Sequence, residues 1–451
     1  MGENGDTMGM FGNIKSLVYH GGDEEDPYIT LPPNEDDDEE REELQILATD
    51  NMVLAARVED EVAHLEVYVY EDTEDNLYVH HDVMLPAIPL AVEWLDFPVN
   101  KKDASENGRG NFVAIGTMDP DIELWDLDVV DCMYPNAILG AGGSADPSKP
   151  KKKKKKSKKA SPTHHVDAVL SLASNRHHRN LLASASADQT VKLWDLNTAT
   201  CAQSYTYHGD KVCSIAWHPR ESTALLSGSY DRTVIAADMR APDAGHRKWT
   251  VESDVENVRW DPHDPNYFYV STETGVLYYF DARKAPPSSA TQPSQATWRL
   301  QAHDESISAF DVNPIIPGFL VTGSGDKTVK IWNVSESGPS MVVSRDLDVG
   351  RVFSTSFAPD REVGFRLAVA GSKGNLQIWD TSTNRAVREA FATRVADGFV
   401  GKQEQVQERL VGLALSDDEE EEDDEEGDEE EMDQREDGGV AVGSDDDEDE
   451  E

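Results

Sequence analysis

The sequence predicts an all-β fold, a propeller of seven four-stranded blades with disordered acidic segments at both ends. Three observations carry that reading. A unit of two short strands joined by a tight turn closes on Trp194-Asp195, and equivalents recur at Trp125-Asp126, Ala237-Asp238, Phe280-Asp281, Trp332-Asn333 and Trp379-Asp380. The steps between them are 69, 43, 43, 52 and 47 residues, against a usual blade period of about 40–45. Finally, three further offsets hold through three units. Counting back 29 residues from Trp194, Ala237 and Trp332 lands on His165, His208 and His303; 10 back on Ser184, Ser227 and Thr322; 6 back on Asp188, Asp231 and Asp326. A lone hairpin cannot bury its apolar face, so a fixed period implies an array whose units cover one another.

The unit at 181–196, LLASASADQTVKLWDL, shows the local pattern. Small residues lead into a turn Asp and a Trp-Asp pair closes the second strand, the signature of a WD40 blade. In chain order, residues 1–43 carry 14 acids against Lys15 and Arg41. Such a segment repels itself and is expected to be mostly disordered; within it, 14–19 form a short apolar patch. The propeller is expected over 44–398. Stretches 52–57, 64–70 and 76–83 alternate like strands and have the size of a divergent first blade. Residues 86–128 read as the second, with strands at 92–97, 112–116 and 122–127 and a polar loop at 100–111. The 69-residue step exceeds 43 by 26, which matches a Lys-rich disordered insertion at 135–160. Later blades fall at 164–198, 208–240, 251–284, 303–335 and 350–381, with a Pro- and Ser-rich loop at 285–295. An open ring would leave an exposed edge, so an outer strand lent by a terminus should close it. Both 14–19 and 386–391 are candidates. Residues 399–451 form a C-terminal segment ending in an acidic tail, 416–451.

The formal charge is −47, and 417–451 hold 24 acids and one Arg. That tail explains a hydrophobic share of only 38%. Cys132, Cys201 and Cys213 form no CxxC pair and are too few for a disulfide framework, which favours a reducing compartment. No apolar run reaches transmembrane length, the start lacks a signal-peptide core, and Asp6 stands where N-myristoylation wants Ser or Thr. An intracellular soluble protein without membrane contact is expected.

His165, Ser184 and Asp188 are the residue types of a hydrolase triad. The structural reading is the stronger. A triad occurs once in a chain, whereas this set, with Trp194, recurs at His303, Thr322, Asp326 and Trp332, and without its Trp at His208, Ser227 and Asp231. No GxSxG elbow accompanies any of them. These residues are read as a hydrogen-bond relay inside each blade, and no catalytic residue is assigned. The pairs His80-His81, His164-His165 and His177-His178 put neighbouring side chains on opposite strand faces, poor geometry for one ion, so no metal site is assigned. No phosphate-cradling Gly-rich signature appears, and neither a cofactor nor a small-molecule substrate is expected.

Three features point to partners. Lys151, Lys152, Lys153, Lys154, Lys155, Lys156, Lys158 and Lys159 lie in the insertion and read as a nuclear import signal or a non-specific contact to rRNA or DNA phosphate. No aromatic platform accompanies them. The acidic tail reads as a multivalent decoy for histones, unassembled ribosomal proteins or other basic proteins, with Ser416 and Ser444 ahead of acidic runs as candidate phosphosites. Two units end in Asp-x-Arg, at Arg240 and Arg283, an ending that resembles WD40 receptors docking on cullin-4 ubiquitin ligases.

Beyond the generic repeat, several stretches resemble the periodic tryptophan protein 1 family, WD40 proteins of the eukaryotic nucleolus. They are YVHHD (78–82), VEWLDF (92–97), IELWDLD (122–128), LASASADQTVKLWD (182–195) and LSGSYDRTV (226–234). The resemblance spans about residues 14–391, and a Lys-rich insertion after the second blade fits it. Ala237 in place of Trp and the long acidic tail depart from it. The resemblance implies a location in the nucleus and nucleolus and a role in ribosome production: rRNA processing, large-subunit assembly and association with ribosomal-DNA chromatin. The expected function is a non-enzymatic scaffold that binds pre-ribosomal proteins. A substrate receptor of a cullin-4 type ligase is the alternative.

Overall fold

The computed structural model describes residues 46–47, 49–99, 108–130, 132–140, 160–241, 245–287, 292–394 and 409–412. Within them the chain forms a seven-bladed β-propeller. Every sheet is an antiparallel meander in sequence order. Sheet 1 holds β1 (Asn51–Glu59), β2 (Val62–Glu71) and β3 (Asn76–Leu85); sheet 2 holds β4 (Pro89–Leu95), β5 (Phe112–Thr117), β6 (Ile122–Asp126) and β7 (Ala137–Leu139). Sheet 3 holds β8 (Val169–Ser174), β9 (Leu181–Ser186), β10 (Val191–Asp195) and β11 (Thr200–Tyr205). Sheet 4 holds β12 (Val212–Trp217), β13 (Ala224–Ser229), β14 (Thr233–Asp238) and β15 (Arg247–Thr250). Sheet 5 holds β16 (Val255–Trp260), β17 (Tyr267–Thr272), β18 (Val276–Asp281) and β19 (Trp298–Gln301). Sheet 6 holds β20 (Ala309–Val312), β21 (Phe319–Gly323), β22 (Thr328–Ser335) and β23 (Gly338–Asp346). Sheet 7 holds β24 (Val352–Phe357), β25 (Arg366–Gly371), β26 (Leu376–Asp380) and β27 (Arg409–Gly412).

The sequence explains why these strands turn where they do. Between the second and third strands of sheets 3, 4 and 6, Gln189, Arg232 and Lys327 adopt positive φ of 69°, 63° and 67°. A side chain is strained there, and the preceding Asp holds the turn. Asp188, Asp231 and Asp326 each accept from the backbone N–H two residues on, at 3.0, 3.0 and 2.9 Å, an Asx-type turn. The corresponding turns of sheets 5 and 7 use Gly275 and Gly374 at φ 77°, where no Cβ opposes that conformation.

Apolar side chains from facing sheets fill each seam. One cluster joins sheets 2 and 3 around Phe112, Leu182 and Trp194, another sheets 6 and 7 around Phe319, Ile331 and Trp379. The seam between sheets 7 and 1 closes the ring, with Tyr68, Tyr70 and Leu77 packed on Leu376 and Ile378. An ion-pair network backs it. Arg366 Nε bonds Asp72 at 2.6 Å, Arg366 Nη1 lies 2.5 Å from Asp380 as an ion pair, and Arg409 pairs with Asp75.

Two expectations about closure are revised. Residues 386–391 lie in a helix, α1 (Arg385–Phe391), not a strand. The outer strand of sheet 7 is β27, beyond position 398. Residues 14–19 lie outside the described residues.

Sheet 1 also differs from the other six. In sheets 2 to 7 the first strand is innermost: β4 lies beside β8, β8 beside β12, β12 beside β16 and β20 beside β24. β1 does not take that place. Arg57, late in β1, lies beside Gly374 in the turn after β25, while Asp72, after β2, meets Arg366 at the start of β25. β1 therefore runs alongside β25 in the same direction, as a second strand, and β2 and β3 fill the third and outer positions. Only 86–88 then separate β3 from β4.

Candidate functional site

The recurring His, Ser or Thr, Asp and Trp converge three times. In sheet 3, His165 Nδ1 lies 3.0 Å from Asp188 Oδ2, His165 Nε2 lies 2.7 Å from Ser184 Oγ, and Trp194 Nε1 donates to Ser184 Oγ at 2.8 Å. A carboxylate only accepts, so the ring carries its proton on Nδ1 and its Nε2 accepts from the serine hydroxyl. In sheet 6 the same three contacts measure 2.8, 2.8 and 2.9 Å through Asp326, Thr322 and Trp332. In sheet 4, His208 meets Asp231 at 3.3 Å and Ser227 at 2.8 Å; Ala237 supplies no indole.

These sets are built for cohesion rather than turnover. Ser184 and Thr322 are wholly buried, and each hydroxyl is engaged by both the imidazole and the indole. Reaction with an external substrate would need an accessible nucleophile. Each Asp also holds backbone: Asp188 accepts from Val166 N at 3.1 Å and Asp231 from Gly209 N at 2.9 Å. Burial alone would raise the Asp188 carboxyl. Hydrogen bonds from His165, Thr190 and Val166 outweigh it and hold that group at about 2; Asp231 and Asp326 are lowered likewise against the same burial. Burial pushes His165 and His303 below the ordinary imidazole value despite the raising pull of their Asp partners, so both rings are neutral near pH 7.

One member of the arrangement escaped the sequence reading. Lys192, two residues before Trp194, is fully buried, with Nζ donating to Ser161 O at 2.6 Å and Ser204 Oγ at 2.7 Å. Lys330, two before Trp332, donates to Ala302 O at 2.8 Å. The K-x-W spacing in those two units was the available signal, and Ile235 stands at that position where the Trp is missing.

The exposed edge offers different chemistry. Arg240 grips its own Asp238 through Nε at 3.2 Å and Nη2 at 2.8 Å, and Arg283 grips Asp281 at 2.8 and 2.9 Å. The Arg283 guanidinium also lies over Tyr267, 5.5 Å from the ring centre. Both arginine side chains remain largely exposed, at 73% and 58%, so each presents a planar cation fixed by a bidentate pair. Among the described residues no group of three or more His, Cys, Asp or Glu is placed to hold a metal ion, and no helix is long and apolar enough to cross a membrane. Of the histidine pairs, His164 bonds Ser161 and Thr163, and His177 meets Pro219 O at 3.2 Å. The Lys run 151–159, Ser416 and Ser444 lie outside the described residues.

The family model for the WD domain, G-beta repeat matches residues 156–195, 199–236 and 294–333. An uncharacterized WD repeat-containing protein of Schizosaccharomyces pombe is 53% identical over 92% of this chain and 78% of its own length. Periodic tryptophan protein 1 of Saccharomyces cerevisiae is 39% identical over 90% of this chain and 77% of its own. Its Drosophila melanogaster homolog is 35% identical over 80% of this chain and 73% of its own. Among solved structures, a chain in the crystal structure of the mitotic checkpoint complex superposes with a TM-score of 0.52 at 18% identity, covering 73% of this chain and 86% of that one; it shares the fold alone. With a blade signature in its buried relays and relatives of this similarity along most of its length, the chain belongs to the periodic tryptophan protein 1 family.

Proposed function

We propose that this protein is a non-enzymatic scaffold of nucleolar ribosome biogenesis, working in rRNA processing, large-subunit assembly and on ribosomal-DNA chromatin. The observation that carries the reading is the combination of a rigid propeller, whose buried Ser and His groups are committed to cohesion, with family membership along most of the chain. Propellers of this kind offer loops and blade edges to several partners at once. The acidic tail adds long-range attraction for basic pre-ribosomal proteins or histones, a term that salt screens. The Lys run supplies nuclear import or non-specific phosphate contact, and Ser416 and Ser444 are sites where phosphorylation deepens the negative charge.

The exposed Asp-x-Arg pairs support a second reading, a receptor of a cullin-4 type ligase. One affinity purification from nuclear extract separates the two, using wild type, an Arg240→Ala, Arg283→Ala double variant and a deletion of 416–451. The scaffold predicts pre-ribosomal proteins with wild type and the double variant alike, weaker capture by the deletion at low salt, and no cullin-4 adaptor. An adaptor bound by wild type and lost in the double variant would establish the receptor instead. Capture by the deletion that is unchanged across a salt series would reduce the tail to a solubiliser.

A further inference from the structure

Six sheets place a strand at the axis, and sheet 1 begins at the second position with β1. Three of the inner strands share a six-residue pattern of apolar, any, small or polar, apolar or Thr, any, aromatic. It reads Val212-Cys213-Ser214-Ile215-Ala216-Trp217 in sheet 4, Val255-Glu256-Asn257-Val258-Arg259-Trp260 in sheet 5 and Val352-Phe353-Ser354-Thr355-Ser356-Phe357 in sheet 7. The same two bonds join sheet 4 to sheet 3 and sheet 5 to sheet 4. Ile215 N donates to Ser171 Oγ at 3.3 Å and Val258 N to Ser214 Oγ at 3.1 Å. The indoles of Trp217 and Trp260 reach back to Ala173 O and Ala216 O at 3.0 and 3.2 Å.

At sheet 1 these partners change. Trp94 is the β4 counterpart of Trp217 and Trp260, yet it donates to Asn111 of its own sheet at 2.8 Å. Its ring is 43% exposed, against 6% for Trp260. On the other side, Ser354, the counterpart of Ser171 and Ser214, is exposed, as are Ser356 and Phe353. β1 is only half-buried where β5 and β21 are buried throughout. Together these surfaces outline a slot one strand wide beside the free edge of β1.

We propose that residues 14–19, Ile14-Lys15-Ser16-Leu17-Val18-Tyr19, occupy this slot as the inner strand of sheet 1. They are the occupant because they repeat the inner-strand pattern position by position. The chain also reaches: residues 20–50 link the end of such a strand to the start of β1, its antiparallel neighbour, far more chain than a turn between adjacent strands needs. The register assigns each partner. Leu17 N–H bonds Ser354 Oγ, Val92 N–H bonds Ser16 Oγ, and the Trp94 indole turns from Asn111 to Val18 O. Lys15 takes the second place of the pattern, which Glu256 holds on β16.

Two measurements on the full chain test this. With p-benzoylphenylalanine in place of Tyr19, irradiation is expected to cross-link the segment, within one chain, to 352–357 or 366–371. In hydrogen exchange, Leu17→Glu is expected to speed exchange across 51–59 by roughly tenfold, while Lys15→Glu leaves it unchanged and sheet 4 reports intact folding in both. Cross-links that land elsewhere, or only in a second polypeptide, overturn the assignment; so does exchange at 51–59 that ignores Leu17→Glu.

Discussion

Replacing one buried hydroxyl in two sheets gives a controlled measurement of what the relay contributes. Ser184 and Ser227 occupy the same position, both buried, and meet His165 and His208 at 2.7 and 2.8 Å. Their remaining partners differ: Trp194 donates to Ser184 at 2.8 Å, whereas Ala237 has nothing to donate and Ser227 Oγ reaches only the Ile235 carbonyl, at 3.5 Å. Ser227→Ala strands one buried imidazole nitrogen, whereas Ser184→Ala strands an imidazole nitrogen and an indole N–H. Each unsatisfied buried group costs about 1–3 kcal/mol, so Ser184→Ala should be the more destabilising by about 1–3 kcal/mol. The small cavity left by the hydroxyl is common to both and cancels in the comparison. Urea unfolding of the two variants and wild type at pH 7 reads the difference directly. Trp194→Phe added to Ser184→Ala should return part of the loss, because it removes the stranded N–H while keeping an aromatic ring. Equal costs for the two serine variants, or no recovery in the double variant, would refute the relay as a source of stability.

At the closing seam, Arg366→Met takes the nearer guanidinium from Asp72 and Asp380 and leaves them Arg409 at 3.9 and 3.8 Å; breaking a buried pair costs up to about 3–5 kcal/mol, and limited proteolysis should show sheet 1 cleaved before sheet 4. Glu256, on the innermost strand of sheet 5, is held up at about 7 by burial first and then by Glu273 and Asp254. A group whose folded value lies above its unfolded one stabilises at low pH, and that contribution disappears as pH rises from about 4.5 through about 7. Glu256→Gln should therefore raise Tm at pH 8 and give no advantage near pH 4, which differential scanning fluorimetry across that range checks.

What could be read from the sequence was whatever sits at a fixed local spacing. The relays fall within 29 residues of the closing position, Trp194, Ala237 or Trp332, in three units, so periodicity alone marks them. The helix at 385–391 is also encoded locally. Asn384 accepts from Ala386 N at 3.0 Å as an N-cap, Arg385 and Glu389 pair at 2.8 Å one turn apart, and Val387 and Phe391 are buried four residues apart. That is a helical period with a cap, not the alternation of a strand. The seam network was illegible for a different reason. Asp72 and Arg366 stand 294 positions apart, and only closure of the ring brings them together, so no local pattern marks either. Lys192 falls between these cases: its burial depends on acceptors at Ser161 and Ser204 that the repeat positions, but that composition assigns to the surface.

The proposed scaffold role on pre-ribosomal particles has a direct readout in sedimentation. Nuclear extract containing the tagged full chain is resolved on a sucrose gradient at low and at high salt. A scaffold of this kind sediments with large particles containing precursor rRNA, and rising salt releases it to the top. Migration as a free protein at low salt, with none in the precursor-containing fractions, would contradict it.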